Sequence, residues 1–180
     1  MTKATTILAV FFFCLISCNR QKNNNENTFS SKAVDSIPKI KVINFENSKS
    51  IIFTSEYFAY RKEEKYFTPD EKTIRKIEEK LPETQKIIDQ VWGDSEWQKL
   101  LKIDSKHMSN YYKQYVGFIN SKNDSIIGII LLNLEDDPHD FKAKLGKELI
   151  FGGDGWFNTN TCSIEYSKKT KKFSVDFDLD

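Results

Sequence analysis

Two stretches of this chain concentrate residue types that could do chemistry. Glu135-Asp136-Asp137-Pro138-His139-Asp140 sets five oxygen or imidazole donors within six residues. Hard divalent cations favour clustered carboxylates that a loop can wrap around the ion. The spacing matches no calcium-binding loop. The expectation is therefore a solvated acidic turn holding no metal, with Asp136, Asp137, His139 and Asp140 as the candidate ligands were an ion to bind. The second stretch, Gly152-Gly153-Asp154-Gly155-Trp156-Phe157-Asn158, joins three of the seven glycines to two large aromatics. Glycine admits left-handed backbone and close approach. Trp156 and Phe157 offer stacking area to a sugar or an apolar peptide side chain, and Asp154 could orient a hydroxyl or amide. These three residues are expected to touch any ligand the domain has. The competing expectation is a hairpin loop that folds its aromatics back onto the sheet.

Other catalytic signatures are missing from the sequence. It contains no G-x-S-x-G, H-E-x-x-H, phosphate loop, dinucleotide fingerprint or C-x-x-C. Cys162 alternates with Ile164 and Tyr166, which places it on a core face, where a thiol behaves as a small hydrophobe. A reactive thiol needs electropositive, accessible surroundings. His107 lies in a polar connection, and the 26 acids offer no pair singled out by spacing for sugar hydrolysis. No catalytic residue and no cofactor are assigned.

Composition narrows the classes further. The 180 residues carry 27 basic and 26 acidic side chains, are 39% hydrophobic and hold 3 Cys. That is enough apolar chain for one core, and too little cysteine for a disulfide scaffold. A net charge of +1 with interleaved signs, as in Arg61-Lys62-Glu63-Glu64-Lys65, removes the usual electrostatic case for nucleic acid.

The N-terminus carries an address. Lys3 precedes an uncharged, mostly apolar run from Ala4 to Ser17, which is too short to span a bilayer and has the form of an export signal. It ends in Leu15-Ile16-Ser17-Cys18, which resembles the lipobox of bacterial lipoproteins. That resemblance implies cleavage before Cys18, a diacylglyceryl thioether on its sulfur and an acyl chain such as palmitate on its new amino group. Long chains at about 0.8 kcal/mol per buried methylene make such anchorage effectively permanent. Removing 17 of the 180 residues takes away Lys3 and Cys14, so the mature net charge is zero and Cys162 has no intrachain partner. Residues 18–36, rich in Asn, Lys, Ser and Glu, read as the lipidated cysteine followed by a flexible tether, and 37–180 as one globular domain. Asn19, Arg20, Gln21 and Lys22 stand where surface-exported lipoproteins of Bacteroidota commonly carry acids. The expected location is the outer membrane, facing the periplasm.

Period and punctuation set the elements. Ile37–Phe45 and Ser50–Tyr60 read as strands. Thr68-Pro69-Asp70-Glu71 has the capping-box form, with Thr68 as N-cap, and Ile74, Ile77, Glu78 and Leu81 follow at helical spacing over Pro69–Leu81. Pro82 should bend or restart the helix, a second stretch around Ile87, Ile88, Val91 and Trp92 stops near Gly93, and Trp97, Leu100, Leu101 and Ile103 suggest a short third turn. From Tyr111 the period becomes two. Tyr112–Ser121 and Ser125–Leu134 flank the hairpin turn Lys122-Asn123-Asp124, Glu148–Gly152 and Thr161–Tyr166 flank the Gly-rich loop, and Phe173, Val175, Phe177 and Leu179 alternate with polar residues. The sum is an α+β domain, with N-terminal strands and helices packed on a C-terminal four-stranded antiparallel meander. By analogy the order resembles cystatin-like or NTF2-like folds, which host many functions.

The glycine-aromatic loop, Tyr115-Val116-Gly117-Phe118-Ile119-Asn120 and the terminal alternating strand together resemble small lipoproteins of Bacteroidota over roughly residues 66–180, a likeness that carries no activity. The functional expectation is a lipid-anchored envelope protein whose non-catalytic domain binds a partner protein or a glycan. The alternatives are an envelope hydrolase using acids near Asp136–Asp140 or Asp154, and a protective or inhibitory lipoprotein.

Overall fold

In the computed structural model the described residues are 39–45, 48–61, 64–93, 101–152 and 155–175; all fall within one unit spanning 36–180. Cys18, Asp154, Trp97 and the strand positions beyond Val175 lie outside them. The order is β1 (Ile40–Asn44), β2 (Lys49–Phe53), β3 (Tyr66–Phe67), α1 (Glu71–Lys80), α2 (Gln85–Trp92), β4 (Tyr111–Ile119), β5 (Ser125–Asn133), α3 (Phe141–Lys144), α4 (Trp156–Asn160), β6 (Thr161–Ser167) and β7 (Phe173–Ser174). The fold is α+β, and β4 through β7 form the antiparallel meander expected from the period-two pattern.

One seven-stranded sheet runs β1-β2-β4-β5-β6-β7. Every pairing is antiparallel except β2 with β4, where Ser50 stands opposite Lys113 and Phe53 opposite Val116. A parallel pair needs a crossover, and here it is supplied by β3, α1 and α2. Because β5 occupies one edge of β4, β2 and β3 share the other in succession, β3 pairing Phe67 with Gly117. Gly117 is required there: a Cβ would lie 2.4 Å from the Phe67 carbonyl oxygen.

Both faces of the sheet are covered. α1, the 3-10 turn after it (Leu81–Thr84) and α2 lay Ile74, Ile77, Leu81 and Ile88 against Ile52, Tyr115, Ile129, Cys162 and Ile164. The opposite face packs Ile130 and Leu132 on Phe141, Ile150, Trp156 and Phe157, and packs Phe53 and Val116 on Phe58 and Tyr57.

Four local readings change. The N-cap of α1 is Asp70, not Thr68: the Asp70 carboxylate accepts from the Thr73 N–H and hydroxyl at 2.8 and 2.7 Å, which holds its carboxyl below the usual range. Thr68 Oγ1 instead accepts from the Ser55 N–H. Ser50–Tyr60 is strand only to Phe53, after which Ser55–Phe58 turns as a 3-10 helix that stacks Phe58 on Tyr66. Leu101 and Ile103 are fully buried without helix, the Ile103 N–H donating to Gln85 Oε1. Glu148–Gly152 is not a strand. β5 already has β4 and β6 on its edges, so this segment crosses the face of the sheet, and the buried Gln114 amide serves its backbone, donating to the Glu148 carbonyl and accepting from the Ile150 N–H, each at 2.8 Å.

Candidate functional site

A charged residue on a buried face needs a partner. α1 places Glu78 beside Ile74 and Ile77 on its core face, and β4 places Lys113 between the inward-facing Tyr111 and Tyr115. The two meet with Lys113 Nζ 2.8 Å from Glu78 Oε2, the side chains 2% and 9% exposed. The remaining valences are filled locally. Ser50 and Tyr115 hydroxyls both donate to Glu78 Oε1 at 2.7 Å, and Lys113 also donates to Ser48 Oγ at 3.0 Å. Burial and the Glu78 charge, together with the hydrogen bond to Glu78, push the Tyr115 phenol well above its ordinary pKa, so it acts as a donor and not as a base. Among the described residues no buried side-chain nitrogen or oxygen lacks a partner.

Glu78, Lys113 and Ser48 of this cluster form the floor of a trough whose lining mixes polar and apolar groups. On the helix side, a bay of about 600 Å³ is lined by Phe45, Arg75, Glu78, Glu79, Lys106 and Lys113. Arg75 closes its wall, lying 5.2 Å from the Phe45 ring centroid while paired with Glu71. A second bay of about 470 Å³ is lined by Lys49, Asn110, Tyr112, Leu134, Glu135 and Lys142. Ser48 and Ser109 line both. The two bays that make up the trough thus adjoin at the starts of β2 and β4, the first on the helix face of the sheet and the second toward the opposite face. Because Ser48 Oγ accepts from the Lys113 ammonium, its own O–H is left to donate. Beside the first bay, His107 Nδ1 lies 2.8 Å from Asp104 Oδ1, an atom that also accepts from the Lys106 and His107 N–H groups; the His107 side-chain bond is the largest contributor holding the Asp104 carboxyl below its usual range.

Of the described residues singled out by sequence, Glu135 lines the second bay, whereas Asp136, Asp137, His139, Asp140, Trp156 and Phe157 line neither. Trp156 and Phe157 begin α4, half-buried and packed on Phe141, and the Trp156 indole N–H donates to the Asp136 carbonyl at 2.9 Å. Gly152 is demanded by this packing, since a Cβ would sit 2.7 Å from the Phe157 ring. The aromatics fold back onto the sheet and buttress the turn that carries Glu135. In that turn, Asp137 is spent on the backbone. Desolvation opposes ionisation, but the Lys142 and Phe141 N–H groups, each 2.8 Å away, outweigh it and hold the carboxyl below its usual range. Asp140 takes left-handed backbone with φ 55°, and His139 leans on Phe141 and Trp156. Asp136, Asp137, His139 and Asp140 thus do not converge, and among the described residues no three His, Cys, Asp or Glu form a metal-binding group. Cys162 is buried and its thiol is pushed up to about 12 by desolvation.

Sequence reasoning missed Lys113 and passed over Glu78, although a signal for both existed. Each is a charge at a position whose periodic neighbours are core residues, and the two have opposite sign. Among the described residues no helix is long and apolar enough to cross a membrane. Comparison with known protein families, with curated proteins and with solved structures finds no significant match.

Proposed function

We propose that this chain is a lipid-anchored envelope protein, held through Cys18 at the outer membrane and facing the periplasm, whose domain binds an envelope glycan in the trough without transforming it. The observation that carries this reading is the trough itself. Its rim offers Ser48, Ser109 and Asn110 as hydroxyl and amide partners, and its charged floor is cross-linked by four hydrogen bonds. A floor whose polar groups are already satisfied keeps its shape when a ligand arrives, which lowers the ordering cost of binding. The rim hydroxyls and amide can bond sugar hydroxyls, and the Phe45 and Tyr112 rings in the same lining offer area on which a sugar can stack. Glu78 favours binding over chemistry, because both its oxygens are engaged by protein donors and a general base must reach its substrate proton.

The test has two arms. Globomycin should make the uncleaved precursor accumulate and Cys18→Ala should lose the acyl label; efficient processing of that variant to a soluble form removes the anchor from the account. The lipidated protein in nanodiscs, titrated with soluble peptidoglycan fragments and with core and capsular oligosaccharides, should bind at least one with a sub-millimolar Kd and return it unchanged. Turnover of a fragment would replace the binder with a hydrolase.

A further inference from the structure

We infer that the trough selects acidic oligosaccharides, chains carrying carboxylate groups, over neutral ones; the inference rests on the glycan reading above. Its charges are the starting point. The Glu78–Lys113 pair cancels internally, which leaves, among the described residues, Lys49, Arg75, Lys106 and Lys142 against Glu79 and Glu135 along the two bays. Charging the exposed Glu71 partner of Arg75 to the same account still leaves a cationic excess, in a mature chain whose net charge is zero. The described lining of the concave surface thus carries a small net positive charge. Concave sites with one excess sign focus their field and raise the local concentration of the opposite charge.

Donor chemistry points the same way. Ser48 lines both bays, and Lys113, 3.0 Å from its Oγ, takes a lone pair of that oxygen and leaves its O–H to donate. An oxygen accepting from an ammonium is polarised, so the bond it donates in turn is strengthened, and a carboxylate is a better acceptor for it than a sugar hydroxyl. Two bays of about 470 and 600 Å³ that share Ser48 and Ser109 suit a chain of sugar units laid across the rim, with one acidic group near Ser48. The lysines on either side would meet the next acidic groups. A single sugar acid could fill only one bay.

The full lipidated protein in nanodiscs of zwitterionic lipid is titrated calorimetrically with oligogalacturonates of one to six units, with their methyl esters and with neutral maltooligosaccharides of equal length. The expected result is binding of the acidic tetramer at least tenfold tighter than its methyl ester, negligible binding of the monomer, and an affinity that falls severalfold between 50 and 300 mM salt. Lys106→Glu with Lys142→Glu, two exposed-rim changes, should abolish the acid preference while thermal unfolding stays unchanged; Ser48→Ala should weaken the acidic tetramer severalfold. Equal binding of ester and acid overturns the selectivity and leaves the glycan reading standing. Binding of none of the three series overturns the inference, and the glycan reading falls with it if peptidoglycan and envelope oligosaccharides also fail to bind.

Discussion

Glu78→Gln is the sharpest probe of the buried cluster. Both the Ser50 and Tyr115 hydroxyls donate to Oε1, while Lys113 alone donates to Oε2. The amide can keep its oxygen at the first position, so those two bonds survive. Its NH₂ then faces the Lys113 ammonium, donor against donor, with the countercharge gone. Removing one member of a buried ion pair typically costs about 3–5 kcal/mol. For a domain of this size that corresponds to a fall in Tm of about 9–15 °C, taking roughly 3 °C per kcal/mol. Lys113→Met in the same chain removes the stranded charge and should recover most of the loss, because replacing both partners of a buried pair is often close to neutral. Urea unfolding followed by circular dichroism on the wild type, both single variants and the double variant gives the coupling energy directly. A Glu78→Gln chain within 1 kcal/mol of wild type, or a double variant whose loss equals the sum of the singles, would refute the pairing.

Three further outcomes follow from the packing and the titrating groups. Val175, 4% exposed in the main core, should tolerate no charge, so Val175→Asp should cost several kcal/mol in the same assay and a fully stable variant would place the segment after β7 elsewhere. Cys162 should resist iodoacetamide at pH 8 in the folded protein, and stability should fall as pH rises above about 9. Its thiol ionises near there when unfolded but only at about 12 when buried, and the buried Tyr111 phenol, also raised to about 12 by desolvation, acts in the same direction. Flat stability from pH 8 to 10.5 would contradict that burial. Trp156→Ala should weaken glycan binding severalfold by freeing the Asp136 carbonyl and loosening the turn that carries Glu135 and Lys142, whereas unchanged affinity would mean the second bay needs no such buttress.

The sequence carried the periodic part of this architecture. The Tyr111–Asn133 hairpin, the restart at Pro82 and the stop at Gly93 are local events set by alternation, ring geometry and a left-handed residue. The misread features depend on distant partners. Thr68 has the right type to cap α1 but is taken by Ser55, thirteen residues earlier, so Asp70 caps instead. Glu148–Gly152 alternates like a strand, yet both edges of β5, the strand before it, are taken by β4 and β6, and only a buried amide on β4 reveals where its hydrogen bonds go. The site was hidden for the same reason. Glu78 and Lys113 are 35 residues apart and become one feature only when the β2–β4 crossover lays α1 on the sheet. By contrast, Trp156 with its glycines advertised a ligand loop, but Gly152 serves the packing of Phe157.

Hydrogen exchange on the full lipidated protein, with and without saturating acidic oligosaccharide, tests the location of binding most directly. The trough account predicts slowed exchange in peptides covering Ser48–Ile52, Met108–Lys113 and Leu134–Lys142. Protection confined to the loop and helix around Trp156 and Phe157, with those three segments unchanged, would contradict it.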